Sequence, residues 1–377
     1  MITGAILPAL YRGLPASPWQ IAAIVAATPI GQGMSEVPGG LLAIRLGPRR
    51  TALLGATLLG LCAVASSTST GWVMLVGLRF GVGIGSGLFW PSSLELVRVA
   101  SPFRGFPTAV GVYNASGGFG VLSGLVLGLS LEAAIGWRFA LLMGGVIQLA
   151  SALAMGVVVR DSAGEAAQTG PRRAPSRTRD VLHSRSLWSL TLAGVGVWGL
   201  GYIVPQYALA FAAADHPFWN LGVVALFVSM ASLIGIPAGI AGGVLVSRSH
   251  RSRGTLAASA LVMAAVGVAF PAFDLAPLGV LLAVFGLADG IAFTMLYSIP
   301  PRIPEVSPQE LPLAIGILDS VQTLAGSGLA FAFGVIVGVS GFGAAWQVAA
   351  VIAALPLILL VWVRVPRERS EPVEPAA

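Results

Sequence analysis

The sequence predicts an all-α integral membrane protein with two similar six-helix halves, and three observations support this fold class. First, 56% of the 377 residues are hydrophobic and only 10% are charged, with a mean hydropathy of +0.88. A soluble domain needs about a quarter of its residues charged to cover its surface. Second, long apolar stretches recur along the whole chain. Third, the two parts of the chain resemble each other in sequence. A surface this poor in charge must face lipid.

Eleven stretches are long and apolar enough to cross roughly 30 Å of hydrocarbon as helices of about 20 residues. They lie at 19–44, 51–69, 71–97, 107–130, 135–159, 187–213, 219–246, 255–273, 276–299, 312–338 and 341–363. Residues 1–10 are also apolar, but this length covers only about half a bilayer. They lack the basic segment and cleavage site of a signal peptide. We expect them to be the end of a truncated first helix, which would be complete in the natural protein.

The arginines predict the side of the membrane that each loop faces. If the turn at 45–50 is cytoplasmic, eighteen of the 21 basic residues lie on that side. Arg12 and Arg138 lie on the other side, and Arg79 lies within a span. Because basic residues concentrate in cytoplasmic loops, the pattern predicts a cell (cytoplasmic) membrane protein with both termini and the central linker inside. Arginines spread between spans do not form a nucleic-acid-binding face, so no nucleic-acid partner is expected.

A polar segment at 161–186 divides the chain. Its prolines and mixed charges are typical of a solvated linker, and it separates an N-terminal half at 1–160 from a C-terminal half at 187–377. The stretch 107–114 resembles the stretch 312–319, which begins 205 residues further on. The glycine pair at 39–40 is likewise repeated at 242–243. Two helical halves around a central cavity suit alternating access.

Three short motifs lie within and beside the first spans. The turn at 40–50 reads GLLAIRLGPRR, residues 79–87 read RFGVGIGSG ahead of Pro91, and residues 136–138 read GWR. Together with the half-repeat, these motifs resemble those of the major facilitator superfamily, and the resemblance covers essentially the whole chain. The turn departs from the family pattern, because Ile44 replaces the usual Asp and Pro48 replaces a basic residue. The family's glycine and basic positions that remain are Gly40, Arg45, Gly47, Arg49 and Arg50.

The resemblance implies two six-helix halves related by a pseudo-two-fold axis, with residues 1–10 as the remainder of the first helix. It implies a secondary transporter that moves a small-molecule substrate through the lipid bilayer by alternating access. No cofactor and no enzymatic activity are expected, and the protein is expected to be a monomer. Proton coupling is a further expectation. The altered turn at 40–50 leaves a second class open, namely a transporter-derived receptor or scaffold that binds a ligand without moving it.

Other chemistries find no support in the sequence. The glycines at 81–87 could suggest a dinucleotide loop, but they lie inside a span without a flanking strand, which favours close helix packing. His183, His216 and His250 fall in separate loops, so no metal site is expected. Cys62 is the only cysteine, which excludes a disulfide within the chain. Neither a G-x-S-x-G nor an H-E-x-x-H motif occurs.

The resemblance implies that the family's first, fourth, seventh and tenth helices line the cavity. The last three are the spans 71–97, 187–213 and 276–299 in this chain. Helical periodicity then groups candidate side chains on one face of each span. A few polar groups among aromatic rings are typical of a small-molecule site. The same stripes could instead face lipid or pack against neighbours. The candidates are Arg79, Ser86, Trp90, Trp198, Tyr202, Gln206, Asp289, Phe293 and Tyr297.

Charges within spans point to a cavity or a partner, because each costs about 2.5–3.5 kcal/mol at the bilayer centre. Arg79 and Asp289 lie at depths that differ by roughly 7 Å, within side-chain reach across a narrow cavity. Either Arg79 holds an anionic substrate group, or Asp289 takes a coupling proton and releases Arg79. Alternatively, backbone carbonyls of its own half satisfy Arg79.

Glu36 and Asp319 are expected at similar depth, about eight and seven residues from the cytoplasmic ends of their spans. The resemblance brings the spans 19–44 and 312–338 together between the halves. Neighbouring carboxylates in a low dielectric cannot both ionise cheaply, so the pair is expected to share a proton and to couple protonation to an inner gate. Alternatively, each carboxylate caps a helix break or binds nearby Gln32 or Gln322.

Glu95 lies near the cytoplasmic end of the span 71–97, among loop arginines. The resemblance implies a latch in which a carboxylate pairs with the basic turn when the inner gate is closed. In this chain the pairing that remains is Glu95 with Arg49 or Arg50. The alternative is a solvated surface pair of little energetic value.

Overall fold

A computed structural model describes residues 18–101, 105–159, 178–249 and 252–364. The apolar stretch 1–10 and most of the predicted linker lie outside these residues. The described chain is almost entirely helical. Its helices are α1 (Pro18–Leu46), α2 (Pro48–Ser66), α3 (Trp72–Ala100), α4 (Phe106–Ile135), α5 (Trp137–Val158), α6 (Thr178–Leu182), α7 (Arg185–Asp215), α8 (Leu221–Ser249), α9 (Ser252–Ala269), α10 (Leu275–Ser298) and α11 (Leu311–Ala354).

Helical structure occurs at all eleven predicted spans. Within the described chain, seven helical stretches are long and apolar enough to cross a membrane by length and composition. One of them, Leu311–Trp362, has 52 residues and covers the last two predicted spans. It includes α11 and a following 3-10 segment, Leu355–Trp362. These findings confirm the all-α, multi-pass membrane fold. The predicted linker is not wholly irregular, because α6 lies inside it.

Two tight turns show the same backbone conformation in both halves. Gly136 separates α4 from α5 with a φ of 104°, and Gly341 divides α11 with a φ of 80°. The two glycines stand 205 residues apart. A positive φ of this kind is accessible to glycine at little cost and is strained for other residues. The half-repeat therefore extends from sequence to backbone geometry.

A second repeated feature ties the first turn of one helix to the end of another. The Arg49 Nε and Nη2 atoms donate to the carbonyl oxygens of Val159, at 2.5 Å, and Gly156, at 2.7 Å, so that α2 holds the end of α5. In the other half, Arg253 Nη1 of α9 donates to the Val363 carbonyl oxygen at 2.5 Å. Each arginine–valine pair is 204 residues from its equivalent. These donors satisfy carbonyls that a helix end leaves unpaired.

Glycines allow the helices of the first half to pack closely. A Cβ atom on Gly85 of α3 would lie 2.5 Å from the Leu59 backbone nitrogen and 2.7 Å from the Gly55 carbonyl oxygen, both on α2. A Cβ atom on Gly83 would overlap the Thr28 carbonyl of α1. The glycines at 81–87 thus place α3 against both neighbours, as expected for small residues between membrane helices.

Among the described residues, the most extensive contacts between the halves are those of α1 with α11 and of α4 with α8. At the first, a Cβ atom on Gly316 would overlap the Glu36 carbonyl and lie 3.3 Å from the Val37 Cα atom. At the second, a Cβ atom on Gly111 would lie 2.6 Å from the Gly239 carbonyl oxygen. Both contacts bring backbone against backbone, so the four helices meet with no side chain between them at these points.

Candidate functional site

Six aromatic rings from four helices meet between the halves. Trp90 of α3 lies 5.3 Å from Tyr113 of α4 and 6.0 Å from Phe293 of α10, measured between ring centroids. Phe293 also lies 4.5 Å from Tyr297 and 6.2 Å from Trp198 of α7. The series ends at Tyr202, 5.5 Å from Trp198. Such separations are typical of packed aromatic pairs. We call these six residues the aromatic cluster.

The aromatic cluster combines partly exposed aromatic residues with polar groups. Trp90, Tyr113, Trp198, Tyr202 and Phe293 are partly exposed, whereas Tyr297 is fully buried. The indole nitrogens of Trp90 and Trp198 are buried; Trp90 interacts with the Tyr297 hydroxyl, and no acceptor among the described residues is hydrogen-bonded to Trp198. Aromatic rings beside a donor of this kind are typical of a small-molecule site.

A pair of buried carboxyl groups lies beside the aromatic cluster at the α1–α11 interface. Glu36 and Asp319 are both 0% exposed, and their side chains lie within hydrogen-bonding reach of each other. Within the described chain, neither Glu36 Oε2 nor Asp319 Oδ2 receives a hydrogen bond from a donor. One proton held between the two groups would give both oxygens a partner. We call these two residues the carboxyl pair.

Polar side chains extend from the carboxyl pair to both halves. Gln32 Nε2 donates to Glu36 Oε1 at 2.8 Å, and Ser86 Oγ of α3 donates to Gln32 Oε1 at 3.3 Å. On the other side, the Tyr297 hydroxyl donates to Asp319 Oδ1. Tyr297 therefore belongs to the aromatic cluster through its ring and contacts the carboxyl pair through its hydroxyl. Sequence analysis offered Gln32 and the pairing as alternatives, and the structure combines them.

Arg79 and Asp289 lie in different surroundings, and the structure does not bring them together. Arg79 is 6% exposed and interacts with Cys62 of α2, while its backbone carbonyl accepts from the Thr28 hydroxyl of α1. Asp289 borders a small cavity of about 50 Å³ between α7, α8 and α10. This placement keeps Arg79 within its own half, whereas the pairing of its guanidinium with backbone carbonyls stays a prediction. The side chain of Gln206 lies outside the described residues.

The basic turn also differs from its expected pairing. Glu95 forms a two-point ion pair with Arg98, one turn away on α3, with nitrogen–oxygen distances of 2.8 and 2.6 Å. Arg49 instead binds the end of α5, as described above, and the predicted latch between Glu95 and the turn is absent from the described contacts of Glu95. Arg45 and Arg50 are exposed. Local i,i+3 geometry favours the nearer arginine.

Two glycines of the turn have structural positions that explain them. Gly47 separates α1 from α2 with a φ of 88°, and Pro48 follows at the first position of α2, where it needs no amide hydrogen. A Cβ atom on Gly40 would overlap the Pro312 carbonyl of α11. The turn thus begins at the contact between the halves.

The family model described as "Major Facilitator Superfamily" matches residues 1–307. The chain belongs to the major facilitator superfamily. This membership confirms the predicted fold and the expectation that the chain is not an enzyme. Of the solved structures, the superfamily transporter FucP in its outward conformation has a TM-score of 0.75 at 17% identity, over 97% of this chain and 95% of that one. The proton:xylose symporter XylE has a TM-score of 0.77 at 16% identity, over 97% and 92%.

Several superfamily members with assigned solutes are related in sequence. The probable sulfoacetate transporter SauU of Cupriavidus necator is 26% identical over 64% of this chain and 60% of that protein. The 4-hydroxybenzoate transporter PcaK of Pseudomonas putida is 31% identical over 42% and 36%. The multidrug efflux protein YfmO of Bacillus subtilis is 30% identical over 35% and 33%. The matched part of the chain thus spans between a third and three fifths of the length of these relatives.

One member of the aromatic cluster, Tyr113, was not among the predicted cavity residues. Tyr113 lies on α4, which the superfamily resemblance did not place at the cavity, and its hydroxyl is 2.6 Å from Ser93 Oγ of α3. A signal was present, because Tyr113 falls within the repeated stretch 107–114, immediately before the position equivalent to Asp319. The repeat implied that this part of α4 faces the other half.

Proposed function

We propose that the chain is a secondary active transporter that moves a small organic solute by alternating access and couples this movement to protons through the carboxyl pair. The observation that carries the proposal is the location of Glu36 and Asp319, one from each half, at an interface that has to separate during transport. The aromatic cluster beside them would form the solute site.

The coupling follows from the chemistry of two buried acids. When the α1–α11 interface is closed, one shared proton satisfies both carboxyl groups, whereas two ionised groups in a low dielectric would repel each other. When the interface opens, water can solvate each group separately. The closed arrangement therefore binds the proton more tightly than the open one, and a proton bound at the pair favours closure. Raising the pH should open this interface.

The relatives support small organic solutes as substrates. Their names include transporters of sulfoacetate and 4-hydroxybenzoate and a multidrug efflux protein. Membership of the superfamily adds the two-half fold on which alternating access depends. We place the protein in the cytoplasmic membrane as a monomer, with the α1–α2 turn, the linker and the termini inside and no nucleic-acid partner, as the arginine distribution predicts.

The pH-dependent opening of the α1–α11 interface can be tested without knowing the substrate. Spin labels at Leu46 and Gln309, in a Cys62→Ser background, report the separation of the α1 end from the start of α11, since both positions are exposed. Pulsed EPR in lipid nanodiscs should show a longer distance population as the pH is raised. The double variant Glu36→Gln with Asp319→Asn should show one distance distribution at every pH. A pH response that survives in the double variant would contradict the coupling.

Transport itself needs a separate measurement. Purified protein in proteoliposomes should accumulate or release a member of a panel of labelled small organic solutes, and an imposed pH gradient should change the rate. Binding of a solute without any flux, under conditions in which the EPR distances still respond to pH, would instead indicate a receptor.

A further inference from the structure

The central site carries a net negative charge when the carboxyl pair holds one proton. A carboxyl pair that shares one proton keeps one negative charge, and this charge is buried between the halves. The groups that act on Glu36 and Asp319 are the two carboxyls themselves, Gln32 and Tyr297. Among the described residues, no cationic side chain is part of this set. A buried charge without a counter-charge is costly, so the site favours a positive partner.

The walls of the site present the surface that such a partner requires. Trp90, Trp198, Phe293 and Tyr202 of the aromatic cluster are each partly exposed, so that part of their surface is open to a ligand. An organic cation is attracted to the negative face of an aromatic ring, by about 0.5–1 kcal/mol at an exposed site and more when water is excluded. An anion would meet these same faces with repulsion and would lie near the negative charge of the carboxyl pair.

We propose that the aromatic cluster binds an organic cation, an ammonium group on an apolar body, and that this cation exchanges with the proton of the carboxyl pair. The inference rests on the proposed function, because it assigns a substrate class to the same site. In each exchange one positive charge enters the site and one proton leaves, so the net charge of the site is unchanged. No covalent bond forms or breaks apart from the transfer of that proton to water.

Tyr297 gives the exchange a physical route. Its ring lies 4.5 Å from Phe293 and 6.1 Å from Trp90, while its hydroxyl donates to Asp319. A cation held on the aromatic cluster would stabilise the ionised form of Asp319 beneath this ring. The proton then becomes easier to release, and the two ligands compete through the same carboxylate.

We assign the exchanging proton to the carboxyl pair and not to the other titratable or charged groups of the surrounding helices. They include Arg79 and the Glu95–Arg98 ion pair of α3, Tyr113 of α4, Tyr202 and Tyr207 of α7, and Asp289 of α10. The electrostatic interactions of Tyr113 and Tyr202 include one with Asp319. Arg79 interacts with Cys62, and Asp289 borders a cavity between α7, α8 and α10.

A matched series of three probes tests the charge preference. Trimethyl(2-phenylethyl)ammonium is cationic at every pH, 2-phenylethanol is neutral, and 3-phenylpropanoate is anionic near neutral pH. Calorimetry with the full chain in nanodiscs should show the cation binding at least about tenfold more tightly than the alcohol, with the carboxylate weakest. The affinity for the cation should rise with pH, while that for the alcohol should not change.

Variants separate the carboxyl pair from a general effect of membrane charge. Asp319→Asn should weaken binding of the cation by about tenfold, remove its pH dependence and leave the alcohol unaffected. Glu36→Gln provides a second variant if Asp319→Asn does not fold. Asp274→Asn is the matched control, because it removes an exposed carboxylate at the start of α10, and its affinities should equal those of the unmodified protein.

Each contrary result has a definite meaning. Tightest binding of the carboxylate, or cation binding that ignores both pH and Asp319→Asn, would overturn the cation assignment. Absence of binding by all three probes would overturn it as well. In each case the EPR distances and the flux of the solute panel would still test the proposed transport function independently.

Discussion

At the α1–α11 interface Gly316 packs against the backbone at Glu36, and at the α4–α8 interface Gly111 packs against the backbone at Gly239 and Ile240. Gly111 and Gly316 are 205 residues apart, and Glu36 and Gly239, whose carbonyl oxygens they face, are 203 apart, as are the glycine pairs at 39–40 and 242–243. The same contact between helices therefore occurs twice, once on each side of the pseudo-two-fold axis. Each interface closes because glycine removes the side chain that would hold the backbones apart.

The chemistry beside the two contacts differs. The α1–α11 interface has Glu36 and Asp319, whereas the equivalent positions of the α4–α8 interface are Gly239 and Asn114. Packing geometry is thus shared by the halves, and of these equivalent positions only those at the α1–α11 interface carry carboxyl groups. We infer that both interfaces depend equally on close packing, and that only the α1–α11 interface responds to protons.

The largest effect should come from filling either glycine contact. Gly316→Leu and Gly111→Leu each place a side chain where the facing atoms are backbone, which cannot rotate away. Overpacking of this kind costs about 1–3 kcal/mol or more, so the closed state should be depopulated and transport nearly lost in both variants. Pulsed EPR at the labelled α1 and α11 ends, combined with flux, measures the effect.

Gly77→Leu is the control for these substitutions, because a Cβ atom there meets nothing within 4 Å. Its flux and distances should match those of the unmodified protein. A strong effect at one interface glycine and none at the other would show that the two interfaces are not equivalent in packing.

A smaller effect should distinguish the interfaces chemically. Glu36→Gln should remove most of the pH response of the α1–α11 distance, because glutamine cannot release the shared proton. Ile240→Gln places the same side chain at the other interface, one residue beyond the position equivalent to Glu36, and should keep the response. The expected difference is at least about tenfold in the ratio of open to closed states across the titration, or about 1.4 kcal/mol. Equal titration curves for the two variants would remove the carboxyl pair from the mechanism.

Tyr297→Phe should give an intermediate effect at the same interface. It keeps the ring of the aromatic cluster and removes the hydroxyl that donates to Asp319. A hydrogen bond to a charged group contributes about 1.5–3 kcal/mol, and its loss disfavours ionised Asp319. The pH at which the α1–α11 distance increases should therefore move upward, with binding of a neutral aromatic probe unchanged. An unmoved midpoint would mean that the aromatic cluster and the carboxyl pair are independent.

The membrane spans and the depth of buried charges were predictable from the sequence, because each depends on one quantity that can be counted along the chain. Length and apolarity decide a membrane span, so helices occur at all eleven predicted positions. Counting residues from the helix ends placed Glu36 and Asp319 at one depth, and superfamily resemblance supplied their neighbouring helices. The structure has their side chains within hydrogen-bonding reach, although their role in coupling stays a prediction.

The same counting did not bring Arg79 to Asp289. Depth along a helix axis does not specify its rotation, and the glycines on α3 turn this helix toward α1 and α2, where Arg79 interacts with Cys62. Glu95 was assigned to a distant arginine although Arg98 stands three residues away. In both cases tertiary packing or local geometry decided a contact that span-level reasoning does not resolve.

The smallest effect should come from the repeated arginine contacts far from both interfaces. Arg49→Ala leaves the carbonyls of Val159 and Gly156 without their charged donor, and Arg253→Ala leaves that of Val363. Each change should lower the free energy of unfolding by about 1 kcal/mol for such partly solvated bonds. Thermal unfolding in nanodiscs should therefore shift by a similar small amount in the two variants, with the pH response intact. Arg49→Lys separates charge from geometry, because an ammonium lacks the planar fork that reaches both Val159 and Gly156. It should recover only part of the loss. Loss of the pH response in Arg49→Ala would instead show that the basic turn takes part in opening the α1–α11 interface. The carboxyl pair alone would then not control this interface.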